Sequence, residues 1–211
     1  VSETVSQEIC KVLNRAGYEV IFPDKMNKLC CGQIWESKGM MDIADRKTDE
    51  LEAALWKASE EGRYPVLCDQ SPCLHRMRKM ITRMKLYEPV EFILKFVQQR
   101  LTFHQLSRTV AVHITCSMRE MGLGQELISL AEKCATRVIV PEGVGCCGFA
   151  GDKGFNRPEM NRYALRHLKP EIEKHHAVCG YSNSRTCEIG LQYHSGIPYM
   201  SIAYLVDEAT R

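Results

Sequence analysis

Eleven cysteines stand at positions 10, 30, 31, 68, 73, 116, 134, 146, 147, 179 and 187. Two of them begin the run Cys30-Cys31-Gly32, and two more begin Cys146-Cys147-Gly148. Adjacent side chains on an extended backbone point to opposite faces. For both thiols of a pair to meet one ligand, the chain must turn sharply, and Gly32 and Gly148 are residues free to take positive φ beside a bulky group. Two thiolates crowded on one turn repel each other unless positive metal lies between them. A single tetrahedral zinc is usually gripped by cysteines separated by a few residues. Directly adjacent cysteines suit a multinuclear centre better, because each sulfur can take a different iron.

The chain around these turns is duplicated. Tyr18-Glu-Val-Ile-Phe-Pro23 precedes the first turn as Thr136-Arg-Val-Ile-Val-Pro141 precedes the second. Pro65-Val-Leu-Cys-Asp-Gln-Ser-Pro-Cys73 follows the first as Ala177 to Cys187 follows the second. Residues 1–104 and 105–211 therefore read as tandem repeats. In the second, Cys116, Cys146, Cys147 and Cys187 form a complete candidate ligand set. In the first, Cys30, Cys31 and Cys73 form the matching set, one thiol short.

The elements that must position them alternate between helix and strand. In the first half, Glu3 to Ala16 carries apolar residues at helical spacing and ends at Gly17. A strand is expected over 18–22, a helix over 43–60, a strand over 64–68, a basic helix over 73–84 and a further helix over 88–101. In the second half the expected order is strand 108–115, helix 120–135, strand 137–140, helix 157–175, strand 177–181 and helix 185–193. This pattern predicts an α/β fold of two tandem βαβ-type repeats, each with a small, mainly parallel sheet. The cysteines follow strands and precede helices, so they would line up along one sheet edge, where ligands bind. The first repeat lacks the opening strand and cysteine of the second, so it reads as truncated at its N-terminus.

Composition limits the alternatives. A 211-residue chain with 45% hydrophobic and 26% charged residues has the make-up of a folded globular protein. A net charge of +2 gives no electrostatic case for nucleic acid as partner. No signal peptide or membrane-spanning run is legible, which predicts a cytoplasmic location. An odd cysteine count then argues against a disulfide framework.

These residues resemble the cysteine-rich CCG domain family. It includes the B subunit of heterodisulfide reductase, the iron–sulfur component of glycolate oxidase, lactate-utilisation proteins and the C-terminal part of FAD-linked D-lactate dehydrogenases. The family pattern is a Cys at a strand end, a Cys-Cys-Gly loop and a closing Cys-x-x-Cys, in two copies. The first member of that closing pair would be residue 70 or 184. Here these are Gln70 and Ser184, a departure from the five-cysteine site of heterodisulfide reductases that lies closer to the glycolate and lactate oxidase branch. The resemblance implies an iron–sulfur module of the 4Fe–4S type. It would pass electrons from a flavin that oxidises a 2-hydroxy acid towards a quinone or cytochrome. FAD would belong to a domain or subunit outside these residues, since 211 residues already filled by two repeats leave no room for a flavin domain, and the chain alone is not expected to be catalytic.

Other residues carry weaker signals. His113 stands three residues before Cys116, where the family often has a His, and would donate a hydrogen bond to a cluster sulfur; a core histidine is the competing reading. Lys38 and Lys153 follow the two turns at matching places and would offset cluster charge or stay solvated. Arg76, Arg78, Lys79, Arg83 and Lys85 offer either a solvated face or a docking face for an acidic partner or the inner membrane surface. Cys10, Cys68, Cys134 and Cys179 read as core residues. Two rival functions use the same cysteines: a structural zinc module that docks partner subunits, and a thiol–disulfide enzyme working through Cys146 and Cys147. Aerobic purification would leave zinc, or no metal, in place of a cluster.

Overall fold

Burial of one apolar stripe per helix and both faces of a small sheet organises the chain, seen here in a computed structural model that describes residues 5–211. In the first half, α1 (Val5–Arg15) buries Ile9, Val12 and Leu13; the part of the expected helix before Val5 lies outside the described residues. A short α2 (Gln33–Glu36) leaves the first Cys-Cys-Gly turn and leads to α3 (Met41–Ala58). Then β1 (Val66–Leu67), α4 (Ser71–Met80) and β2 (Leu86–Tyr87) form a βαβ unit whose two strands pair in parallel. Next, α5 (Pro89–Phe92) starts at a capping box made by Glu88 and Glu91 and runs into a π-helical turn at Ile93–Val97.

The second half holds a four-stranded parallel sheet. Strand β3 (Leu106–Val112) sits between β4 (Ala135–Ile139) and β5 (Cys179–Ser182), and β6 (Tyr199–Ser201) lies beyond β5. Val110 pairs with Val138 on one side and Cys179 on the other. Val110 and Val112 face a core that includes Leu127, Leu130, Ile202 and Val206, whereas Ala111 faces a second core with Leu165, Leu168 and Leu191. Covered on both faces, β3 can be apolar at consecutive positions. The helices that cover it are α6 (Cys116–Glu120), α7 (Gly124–Cys134), α8 (Lys153–Asn156), α9 (Pro158–Ala164), α10 (Leu168–His175), α11 (Arg185–Ser195) and α12 (Ile202–Ala209).

The fold class is the anticipated α/β type with small parallel sheets, but several elements differ. Residues 18–22 are not a strand. Ile21 and Phe22 are exposed, and Tyr18 instead donates from its hydroxyl to the Phe96 carbonyl at 3.2 Å and packs edge-on against Phe92. No described strand pairs with the segment, and β propensity needs a partner to act through. The expected helix 120–135 starts later, as α7, and is parted at Gly122 (φ +73°) from the short α6 that precedes it. The expected helix 157–175 is divided into α9 and α10. The closing β6 and α12 were not foreseen. Among the described residues, no helix is long and apolar enough to cross a membrane.

The halves are interlocked. Helix α1 packs on α12, where Arg15 pairs with Asp207 at 2.8 Å, and one core draws Ile9, Val90 and Ile93 together with Val110 and Ile202. Between the two sheets lies a buried polar seam. Ser71 Oγ is 3.0 Å from Thr115 Oγ1, the Ser71 hydroxyl donates to the Asn183 carbonyl at 2.7 Å, and Asn183 Nδ2 donates to Glu88. Burial pushes the Glu88 carboxyl up to about 7.

Candidate metal centre

Parallel strands deliver their following loops to one edge, and the cysteines of the second repeat sit on three such loops. Cys116 opens α6 after β3, where the Thr115 hydroxyl oxygen caps the helix by accepting from the Met118 amide at 3.1 Å. Cys146 and Cys147 lie in the loop after β4, and Cys187 is in the first turn of α11 after β5. Because β4, β3 and β5 are neighbours, the four thiols are brought to one edge as two pairs: Cys116 Sγ is 3.6 Å from Cys146 Sγ, and Cys147 Sγ is 2.9 Å from Cys187 Sγ. Cys116 and Cys146 are exposed, whereas Cys147 and Cys187 are buried, so the group runs from the surface into the interior. Arg119 holds the loop, donating to the Gly145 carbonyl at 2.7 Å and to the Ile114 carbonyl at 3.1 Å.

The turn is built as its residue types required. Gly148 has φ +73°, and its amide donates to Cys146 Sγ at 3.3 Å. A Cβ there would lie 2.7 Å from the Met160 carbonyl oxygen and 2.9 Å from Asn161 Cα. Asn161, buried, donates from Nδ2 to the Cys147 carbonyl. The thiols share protons pairwise. Hydrogen bonding from Cys116 and then Cys147 holds Cys146 far below the ordinary thiol range, while Cys116 and Cys147 are pushed up. Hydrogen bonding from Cys147, with the His113 ring beside it, brings Cys187 down to about 5. His113 is buried with no well-aligned partner at Nε2.

The first repeat brings its own thiols together. Cys31 and Cys73 are hydrogen bonded, which draws Cys31 down to about 7 and raises Cys73. Gly32 has φ +86°, and its amide donates to Cys30 Sγ at 3.4 Å. The Cys31 carbonyl accepts from Arg76 Nε at 3.0 Å and from the Thr48 hydroxyl at 2.9 Å. Cys73 is the third residue of α4, as Cys187 is of α11.

Among the described residues, no group of three or more His, Cys, Asp and Glu side chains is already gathered to hold a single metal ion; the sulfurs come as pairs. Four sulfurs, a glycine cradle and the orphaned His113 Nε2 make a donor set that would suit a thiolate-bound metal group, with Cys116, Cys146, Cys147 and Cys187 holding it.

Other expectations fall elsewhere. Lys153 opens α8 in solvent, where its charge acts on Asp152, and Lys38 pairs with the same Asp152 at 2.9 Å. Arg76 is not on an outer face. It is buried and paired with Glu36 at 2.8 Å and Asp45 at 2.7 Å, because its guanidinium braces the first turn. Arg78 and Arg83 are paired with Glu91 and Glu52. Cys134 and Cys179 are core residues as expected. The bracing roles of Arg76, Asn161 and Arg119 had no legible signal, since each reaches a backbone carbonyl far along the chain.

The sequence profile of the cysteine-rich (CCG) domain matches residues 2–78 and 110–192, and the chain belongs to that family. Among curated proteins it is similar to lactate utilization protein A 1 of Bacillus mycoides (strain KBAB4). The two are 24% identical over 172 residues, which cover 74% of this chain and 69% of the relative.

Proposed function

We propose that the chain is an iron–sulfur electron-transfer module, the C-terminal part of an FAD-dependent 2-hydroxy-acid dehydrogenase of the D-lactate or glycolate type. Repeats 1–104 and 105–211 would each carry one centre. The observation that carries this reading is the meeting of Cys116, Cys146, Cys147 and Cys187 at the ends of three neighbouring parallel strands, echoed by Cys30, Cys31 and Cys73. Bound there, a 4Fe–4S cluster would accept and release single electrons. The chain's own part is to hold the sulfurs, with Gly32 and Gly148 leaving room, Arg119 and Asn161 fixing the second loop, and His113 facing Cys187. Exposed Cys116 and Cys146 leave one side of the centre open to a redox partner, a flavin-bearing domain or subunit and then a quinone or cytochrome. The relative's name, lactate utilization, supports a 2-hydroxy acid as the upstream substrate.

The test is anaerobic reconstitution. Iron and acid-labile sulfide should bind in equal amounts and give visible thiolate-to-iron charge-transfer absorption, and Cys147→Ala should remove about half of the iron. Stoichiometric zinc in anaerobically isolated protein would replace this reading with a structural zinc module. A chain that stays colourless and metal-free would overturn it.

A further inference from the structure

Beyond the metal reading, and independent of it, we infer that the second-repeat thiols are an oxidation site of the metal-free chain, where Cys147 joins Cys187 and Cys116 joins Cys146 as two disulfides between loops. The four sulfurs stand in pairs. Cys147 Sγ and Cys187 Sγ are 2.9 Å apart, and Cys116 Sγ and Cys146 Sγ are 3.6 Å apart. A disulfide holds its sulfurs about 2.0 Å apart, so closure asks about 0.9 Å of the first pair and about 1.6 Å of the second, movements within reach of a side-chain rotation. Pairs of sulfurs, rather than a gathered group of three or more ligands, are what disulfide chemistry needs.

The pairing runs across the sheet edge and not along the chain. Cys116 follows β3, the Cys146–Cys147 turn follows β4, and Cys187 follows β5. The competing product, a bond between the neighbours Cys146 and Cys147, closes a ring so small that it strains the peptide bond inside it. That turn is also pinned, because the Gly148 amide donates to Cys146 Sγ at 3.3 Å and Asn161 donates to the Cys147 carbonyl. Each of the two adjacent sulfurs therefore has its partner on another loop. Exposure sets the order of reaction: Cys116 and Cys146 meet solvent, whereas Cys147 and Cys187 are buried. Hydrogen peroxide is a sufficient oxidant. One sulfur of a pair attacks it and breaks the O–O bond, which leaves a sulfenic acid and a water. The partner sulfur then displaces the hydroxyl as a second water and forms the S–S bond. Two thiols and one peroxide thus give one disulfide and two waters, with sulfur oxidised and peroxide oxygen reduced. Sulfurs joined in this way have no thiolate to offer a metal.

The experiment uses the full chain, stripped of metal, reduced, and freed of reductant under anaerobic conditions. It is treated with hydrogen peroxide, its remaining thiols are capped with N-ethylmaleimide in denaturant, and its tryptic peptides are mapped by mass spectrometry without reduction. One tryptic peptide carries both Cys146 and Cys147. It should become linked first to the Cys116 peptide and then to the Cys187 peptide, while Cys134, fully buried in the core, is recovered as capped thiol. Cys146→Ser should keep only the link to Cys187, and Cys187→Ser only the link to Cys116; the wild-type map decides the matter if either variant fails to fold by circular dichroism. A main product closed between Cys146 and Cys147, or four thiols capped as completely as Cys134, would overturn the inference. Both links in a chain that takes up no iron when reduced would uphold it and fell the iron–sulfur reading. Iron uptake by a reduced chain that forms neither link would do the reverse.

Discussion

The two Cys-Cys-Gly turns share a covalent pattern and differ in what supports them. In the first, the carbonyl of the second cysteine is held by a buried cation, Arg76, and by Thr48. In the second, the same carbonyl is held by a neutral amide, Asn161. The first glycine is wedged between that arginine and the backbone of α3; the second is wedged against α9. A repeated turn therefore dictates where sulfurs go, but not which side chain reaches back to fix them. The bracing residue comes from whichever helix covers the loop, and those helices are not alike in the two halves.

The largest effect should come from filling the cradles. Gly32→Ala would set a Cβ onto the Ala44 carbonyl oxygen and 2.9 Å from Arg76 Nε, at φ +86°. We expect a loss of about 4 kcal/mol, from left-handed strain plus overlap with backbone that cannot yield. Gly148→Ala should cost slightly less, about 3 kcal/mol, since its nearest contact is the Met160 carbonyl oxygen at 2.7 Å. Denaturant midpoints of the two variants check this. Equal and small losses, near those of an exposed Gly→Ala change, would show that neither turn is tightly packed.

Much of this was legible in the sequence, and the misses have physical causes. The alternation of apolar runs and amphipathic stretches gave away β3, β4, β5 and most helices, because a doubly covered sheet leaves continuous apolar runs. The Cys-Cys-Gly repeat located both thiol groups. Tyr18–Phe22 misled because its composition suits a strand, but its role is set by Phe92 and Phe96, which only tertiary packing brings near. Arg76 misled for the opposite reason. A basic helix reads as a surface, yet one of its positions points inward and is neutralised by Glu36 and Asp45 on elements more than thirty residues upstream. Long-range pairing of a buried charge has no local signature.

The braces give the next contrast. Arg76→Ala removes a buried guanidinium and leaves Glu36 and Asp45 facing each other, so a loss of about 3 kcal/mol is expected. The Cys31 carbonyl keeps its bond from Thr48. Arg76→Lys should recover less than half of the loss, because an ammonium cannot reach a carbonyl and two carboxylates as a planar fork does. Asn161→Ala leaves the Cys147 carbonyl without that donor and should cost about 2 kcal/mol. Thermal melts of the three variants rank them. An Asn161 variant that loses more than the Arg76 variant would reverse the comparison and make the second turn the more dependent on its brace.

The smallest effect belongs to the contact that joins the two turns. Lys38, after the first, meets Asp152, after the second, at 2.9 Å, and both side chains are partly exposed, at 44% and 37%. An exposed pair contributes little, because water screens it and two long side chains must be held still. A double-mutant cycle with Lys38→Ala and Asp152→Ala should give a coupling of about 0.5 kcal/mol that fades as salt rises towards 1 M. What holds the repeats in register is then the buried seam of Ser71, Thr115, Asn183 and Glu88, whose donors and acceptors have no water to fall back on. A coupling above about 2 kcal/mol, insensitive to salt, would mean instead that the loops bearing the sulfurs are tied directly to each other. The two Cys-Cys-Gly turns could then not be treated as separately braced.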